Sequence, residues 1–436
     1  MTDLTEAVVS GAAASELASS PLPASYRAAH VRKSDVAMFG ETEDKDVRRS
    51  LHLGEVPMPE LAPDEALIAV MAAGINYNTV WSAIFEPMPT FAYLSRYGRS
   101  SRWAARHDLP YHILGSDAAG VIVRLGDGVR RWSVGDRVVI SPAYIDHEDP
   151  GAQHDGMTAS EPLAWGFETN FGALADYAVV RASQLLPMPP HLTWEEAACT
   201  TLCAGTAYRM LVSRHGAAMK QGDVVLVWGA TGGLGGFAVQ IIRNGGGIPV
   251  GVVSTEAKAD LARELGCAGV INRAELNGSL ADPKGWRRLG EEIRRQVGED
   301  PHIVFEHSGR ETFAASVYVA RRGGTVVTCG SSTGYVHEYD NRHLWMKVKR
   351  IIGSHGANYH EYWEANRLVT LGMVQPTLSR VYPLAEVAEA TRAVQLNQHV
   401  GKAAVLCLAP REGLGVADPA LRQRVGEDRL RLFREA

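Results

Sequence analysis

The sequence predicts an α/β protein in which a parallel-sheet nucleotide domain interrupts a β-rich domain. Two observations carry this expectation. Between residues 209 and 354 apolar strands alternate with helix-like stretches, the pattern of a parallel sheet covered by helices on both faces. Residues 1–208 instead read as β and loop, with short apolar or alternating runs bounded by Gly, Pro and Asp. Residues 355–436 return to the first domain. Such an insertion places the active site in the cleft between the two parts.

In the first part the expected strands are Ala66 to Ala72, Gly120 to Leu125, Asp136 to Ile140 and Leu174 to Val180. In the inserted part they are Val224 to Val227, Pro249 to Val253, Gly269 to Ile271, His302 to Glu306 and Gly324 to Cys329. The remainder holds a helical stretch, Tyr359 to Leu371, a strand, Lys402 to Leu408, and a charged, helix-prone tail.

Leu226 to Phe237 is the most informative segment. An apolar strand enters a glycine-rich turn and a helix-like run (Gly236 to Arg243) follows at once. Gly229, Gly232, Gly233, Leu234 and Gly235 would let the backbone approach a pyrophosphate, and the helix start offers free N–H groups and a positive dipole end. A tight strand–helix turn without a ligand has the same outline. The next strand ends in Ser254 and Thr255, with Lys258 one turn into the following helix. An NAD site usually carries an acidic side chain there. Two hydroxyls and a cation suit a 2′-phosphate, so NADPH is the expected cofactor. Glu256 would oppose the phosphate if it faced inward.

The 436 residues are 46% hydrophobic and 21% charged, an ordinary globular balance that at this length points to two or three domains. A formal net charge of −5 gives no reason to expect a nucleic-acid partner. No apolar run reaches the length of a membrane span, and residues 1–21 lack the basic start and apolar core of a signal peptide, so a cytoplasmic location is expected. The five cysteines, at 199, 203, 267, 329 and 407, are too sparse for a disulfide framework or a four-ligand zinc site.

Gly115-Ser-Asp-Ala-Ala-Gly-Val121, Val134-Gly-Asp-Arg-Val138 and Gly401-Lys402 resemble landmarks of the medium-chain dehydrogenase/reductase superfamily, with its GroES-like β-rich catalytic domain and Rossmann nucleotide-binding domain. Where a zinc-dependent member places a ligand cysteine, the chain reads Ile75-Asn-Tyr-Asn-Thr79, so a zinc-free branch is expected. Longer strings narrow the resemblance. Asn76 to Pro87, Trp165 to Gly172, Val304 to Phe313, His337 to Arg342, Arg350 to His355 and Leu408 to Val416 are similar to crotonyl-CoA carboxylase/reductases along nearly the whole chain.

That resemblance implies an enzyme taking a 2-enoyl-CoA, NADPH and carbon dioxide to an alkylmalonyl-CoA without biotin, ATP or metal, and working as a homodimer or homotetramer. The family's carbon-dioxide pocket maps onto Asn78, Phe167, Glu168 and His355. Carbon dioxide only accepts hydrogen bonds, so its holders must donate. The Asn78 amide and the backbone N–H near Phe167 are the expected donors, with His355 holding a water or the second oxygen. The Phe167 ring would shield the enolate, and Glu168 would fix His355 and a water by accepting their protons, or act while protonated. Taken singly, each residue has a structural reading as well: cap, core, solvated carboxylate, structural His.

The family commonly has Ile before the Trp-Gly-Phe-Glu string and Phe after Gly-Ser-His; here Ala164 and Gly356 stand there. Both changes remove bulk beside the pocket. A cavity costs stability unless filled, so an acyl chain of about six to eight carbons is expected, with repacking by neighbours as the alternative. A basic cluster, Arg342, Lys347, Lys349 and Arg350, fits either CoA phosphates or a solvated helix face. Two other functions share this fold: a plain NADPH-dependent enoyl-CoA or quinone reductase, and a non-catalytic NADPH-binding protein.

Overall fold

The computed structural model describes residues 3–276, 280 and 282–436. They form two compact units: residues 1–202 with 378–427, and residues 203–377 with 428–436.

The first unit is built on a seven-stranded sheet. Glu65–Gly74 is buried at every position and pairs antiparallel with Ala118–Leu125, Tyr177–Arg181 and Lys402–Leu406. Its run of small and β-branched residues suits a strand covered on both faces. Leu378–Pro383 extends this sheet parallel to Lys402–Leu406, and a separate three-stranded sheet joins Ser25–Arg32 to His52–Pro57 and Tyr111–Ile113.

The second unit is a six-stranded parallel sheet. Its order is Gly269–Asn272, Ile248–Val253, Val224–Trp228, Ile303–Glu306, Thr325–Thr328, Arg350–Gly353. The order reverses direction at Val224–Trp228, which sets a ligand crevice at the carboxyl ends of the central strands. Five of these strands match the expected runs; Arg350–Gly353, half exposed and short, had no apolar pattern to mark it.

The boundary expected at 354 moves to 377. Helix Tyr359–Thr370 belongs to the nucleotide unit because the buried pair Arg209–Glu361 (2.8 Å) ties it to helix Thr201–Leu211. Tyr362 also lies on Gly205, where a Cβ would be 2.0 Å from its ring. The basic cluster is no helix face either. Only Arg342–Trp345 is helical, and the buried Lys349 ammonium donates to Val317 O (2.6 Å) and Tyr318 O (3.0 Å). Burial lowers that ammonium to about 8. Lys349 is therefore committed to a helix end.

Candidate active site and nucleotide site

Strand Val224–Trp228, wholly buried, leads through Gly229–Gly232 into helix Gly233–Asn244. Gly229 has φ +56°, and a Cβ on Gly235 would sit 2.1 Å from Gly229 O. Both positions demand glycine, because the helix folds back onto the turn that precedes it. The N-cap Gly232 provides no side-chain cap, so the first-turn N–H groups stay available to an anion. These features fit a pyrophosphate.

His307, not singled out from the sequence, braces this turn. Its Nε2–H donates to Trp228 O (2.8 Å), and desolvation holds its pKa below the usual histidine value, which keeps the ring neutral. Beside it Glu306, fully buried, accepts from Ser308 N, Gly309 N and the Thr312 hydroxyl at 2.8, 3.1 and 2.9 Å. Ser316 donates to the same carboxylate and receives Trp228 Nε1–H at 2.8 Å. The string Val304 to Phe313 thus fixes the end of its strand.

At the adenosine end, Thr255 caps helix Glu256–Leu265 by accepting from Lys258 N (3.3 Å). The awkward Glu256 pairs with Arg263 at 3.0 Å and so has a cation of its own. Desolvation and the nearby Arg273 both lower the Lys258 ammonium below the ordinary lysine value. Arg273 follows strand Gly269–Asn272, and its N–H donates to Val253 O (2.9 Å). Lys258, in the first turn of its helix, and Arg273, which also stands 4.0 Å from Glu311, repel each other, and such a pair of cations suits a dianionic 2′-phosphate. The sequence signal for Arg273 was its place just past the third strand.

On the β-rich unit, Leu163–Ala164 pairs with Ala143–Tyr144 and opens a tight turn. Ala164 O accepts from Phe167 N (3.2 Å), Glu168 N (2.8 Å) and Thr169 N (3.4 Å). Glu168 Oε2 in return accepts from Ala164 N (2.8 Å). A backbone N–H near Phe167 is the expected carbon-dioxide donor; those of Phe167, Glu168 and Thr169 are used inside the turn, because the chain coils around one carbonyl. Glu168, expected to fix His355 and a water, gives one carboxylate oxygen to that same turn. Gly166 has φ +67°, and a Cβ there would meet Gly115 O at 1.9 Å. The turn is thereby pressed against the Gly115-Ser116 segment.

Three residues that sequence reasoning missed pin this turn. Asn170 Oδ1 accepts from Ile113 N and Phe171 N, both 2.9 Å, and its Nδ2 donates to Tyr111 O (2.8 Å). His107 Nδ1 accepts from Asn170 N (3.0 Å), and His112 Nε2 donates to Thr169 O (3.1 Å). Burial pushes these histidines down to about 3 and about 4, so both are neutral.

Asn78 lies in the first turn of helix Tyr77–Ile84 and donates from Nδ2 to Ser116 Oγ (2.8 Å). The amide expected to meet carbon dioxide is thus held by a hydroxyl, and its Oδ1 is buried with no donor among the described residues. Such an orphan carbonyl costs about 1–3 kcal/mol. One turn along the helix, Trp81 meets the Phe167 ring at 6.3 Å. Asn78, Ala164, Phe167 and Glu168 are thus gathered on the β-rich unit through the Ser116 and Trp81 contacts.

His355 and Gly356 follow strand Arg350–Gly353 on the nucleotide unit. The His355 side chain is exposed and makes no hydrogen bond among the described residues. Gly356 has φ +52°. Its lack of a side chain therefore has a backbone reason beside the bulk argument, since a Phe there would be strained. Among the described residues, no three His, Cys, Asp or Glu side chains are grouped to hold a metal ion. The five cysteines are free thiols.

Two family models match this architecture: "Alcohol dehydrogenase GroES-like domain" over residues 62–190 and "Zinc-binding dehydrogenase" over 233–370. Fold and nucleotide turn together define a medium-chain dehydrogenase/reductase. The chain is 55% identical over 430 residues to the crotonyl-CoA reductase of Streptomyces collinus, covering 96% of each chain. It is 40% identical over 381 residues to the crotonyl-CoA carboxylase/reductase of Cereibacter sphaeroides, covering 84% of this chain and 86% of that one. The solved 2-octenoyl-CoA carboxylase reductase CinF, in complex with NADP and 2-octenoyl-CoA, superposes with a TM-score of 0.97 at 60% identity, with 99% of both chains covered. The chain belongs to the crotonyl-CoA carboxylase/reductase family.

Proposed function

We propose that this protein catalyses NADPH-dependent reductive carboxylation of a medium-chain 2-enoyl-CoA, such as 2-octenoyl-CoA to hexylmalonyl-CoA, supplying an extender unit for polyketide assembly. The observation that carries the reading is the likeness to CinF, at 60% identity over 99% of the chain, in a protein that keeps Asn78, Phe167, Glu168 and His355. Ala164 and Gly356 support the longer acyl chain.

NADPH, when bound, supplies a hydride to the β-carbon of the enoyl thioester. The residues of this chain then decide what the α-carbon enolate meets. Asn78 would hold carbon dioxide next to that carbon, and His355 a water or the second oxygen. The Phe167 ring, beside Trp81, would keep solvent protons away. Glu168, tied to Ala164 N, would keep its carboxylate in register with Asn78 and Phe167. Donors set for the developing carboxylate favour the carboxylation transition state over the neutral gas.

The same reading includes a homo-oligomer in the cytosol. Strand Arg350–Gly353 is an edge strand, and Trp345, Met346 and Val348 are exposed just before it. Val348 holds φ +54° while 69% exposed. A strained, solvated β-branched residue next to an edge with no further strand among the described residues suits cover by a second copy of the chain. No helix among the described residues is long and apolar enough to cross a membrane.

The test mixes purified protein with NADPH and 2-octenoyl-CoA, with and without bicarbonate, and weighs the product. Hexylmalonyl-CoA formed only with bicarbonate is the expected outcome. Saturated octanoyl-CoA in both tubes would identify a plain reductase. Specificity for crotonyl-CoA at least tenfold above 2-octenoyl-CoA would overturn the medium-chain assignment.

A further inference from the structure

We propose that Ser116 is a positioning residue for the Asn78 amide, and that its hydroxyl determines whether carbon dioxide meets the amide nitrogen or the amide oxygen. The inference rests on the reading of Asn78 as a carbon-dioxide holder.

Ser116 is fully buried, and its Oγ lies 2.8 Å from Asn78 Nδ2. In this arrangement Asn78 donates to Ser116, and the buried Oδ1 has no donor among the described residues. Carbon dioxide brings none, since both its oxygens only accept. Half a turn about the last side-chain torsion exchanges the two ends of the amide. A hydroxyl is both donor and acceptor, so Ser116 can hold either end. In the turned state the Ser116 O–H donates to Oδ1, and the amide N–H groups stand where the orphan oxygen was. That state gives Oδ1 a donor and turns both amide N–H groups to the place of the orphan oxygen, where carbon dioxide, an acceptor, would satisfy them.

The surrounding structure leaves rotation as the freedom of this pair. The Lys402 ammonium lies 3.0 Å from Asp117 Oδ2 and also donates to Asn76 Oδ1. All three side chains are buried. Asp117 adjoins Ser116 and Asn76 stands two residues before Asn78, so one cation ties the two backbones together beneath the pair. Gly74 N, bonded to Asp117 O at 2.9 Å, adds a second tie. These ties hold Ser116 and Asn78 together, and the proposed turn is about the last side-chain torsion of Asn78 alone.

The consequence falls on product choice. The enolate electron pair forms one bond at the α-carbon: C–C to carbon dioxide, leaving a carboxylate, or C–H to a proton from solvent. Without the Ser116 hydroxyl the turned amide loses the donor that holds Oδ1, and protonation gains.

The test measures the ratio of carboxylated to saturated acyl-CoA at limiting bicarbonate for wild type, Ser116→Ala, Asn78→Ala and the double variant, with melting temperature as the check on folding. The expected result is at least a fivefold fall in the ratio for Ser116→Ala. No further fall is expected when Ser116→Ala is added to Asn78→Ala. A wild-type ratio in Ser116→Ala, beside a shifted Asn78→Ala, overturns the proposal and leaves the Asn78 reading intact. An unchanged ratio in Asn78→Ala itself overturns that reading. Additive falls overturn the route through Asn78. If Ser116→Ala does not fold, Ser116→Cys replaces it: an intermediate ratio is expected from the weaker thiol donor, and a wild-type ratio overturns the proposal.

Discussion

The ring of Phe433 fills the space that a side chain at residue 236 would need: a Cβ there would lie 2.7 Å from Phe433 Cζ and 2.8 Å from Thr377 Cγ2. Gly236 is therefore glycine for a packing reason, while Gly229 and Gly235 answer to the shape of the nucleotide turn. Phe433 is 2% exposed and supports the first turn of helix Gly233–Asn244 from behind. Thr377 adds a bond to Gly233 O (3.4 Å).

Gly236→Ala should destabilise the protein by about 1–3 kcal/mol through overpacking. It should also raise the Kd for NADPH, because the helix start would shift. Phe433→Ala should destabilise by about 3–5 kcal/mol, and in that background the extra methyl at 236 should cost less than in the wild type, the contact with Thr377 Cγ2 remaining. Melting curves with and without NADPH check both statements; equal costs of Gly236→Ala in the two backgrounds would refute the contact's role.

Lys258→Ala and Arg273→Ala should each raise the KM for NADPH about tenfold, the order of one charge-assisted bond at a partly solvated site. The KM for NADH should not change. Steady-state kinetics with the two cofactors separate this from general damage, which would raise both values.

The buried histidines set an acid limit. His107 and His112 titrate at about 3 and about 4 in the folded chain, against about 6.5 unfolded. Below the unfolded value the unfolded chain binds more protons. Their stabilising contribution is therefore whole above about pH 6.5 and is lost as pH falls toward the folded values. At pH 5 the loss is about 2 kcal/mol for each. Urea unfolding at pH 7 and pH 5 should show it, and His112→Gln should flatten the difference. An unchanged pH slope in that variant would contradict the assignment.

Ala164→Ile should lower kcat/KM for 2-octenoyl-CoA at least tenfold relative to crotonyl-CoA. Ala164 is the cleaner probe of acyl length, because Gly356→Phe adds backbone strain at φ +52° to any steric effect. Competition between the two substrates, read by mass, checks the ratio; equal losses for both would remove Ala164 from the acyl pocket.

Charge separation at the sheet edge gives a test of assembly. Val348→Asp should convert an oligomer to a smaller species in sedimentation with little change in melting temperature, since the residue is exposed within the chain. An unaltered sedimentation profile would move the interface elsewhere.

The sequence displayed what local backbone geometry dictates. Gly229 and Gly235 were legible because a strand–turn–helix passage admits little else there. The strands of the nucleotide unit were legible because burial on both faces makes them continuous apolar runs. What stayed hidden depends on partners far along the chain. Asn170, His107 and His112 brace the Phe167–Glu168 turn through groups 57 to 63 residues away. Arg273 meets Lys258 only once two strands lie side by side. Lys349 read as one of a basic cluster because nothing near it in sequence reveals the helix end it binds. Helix Tyr359–Thr370 joined the nucleotide unit through Glu361 and Tyr362, whose partners Arg209 and Gly205 lie some 150 residues earlier.

Strand Lys402–Leu406 closes against Glu65–Gly74, with Ala404 opposite Gly74. During synthesis the six strands of the nucleotide unit, all between residues 224 and 353, are complete well before residue 402 leaves the ribosome. The β-rich unit must wait with part of its central strand unpaired and apolar. Its early half is thus the stretch most in need of chaperone cover, whereas the parallel sheet of the nucleotide unit can pair first and only its helix Gly233–Asn244 waits for Phe433.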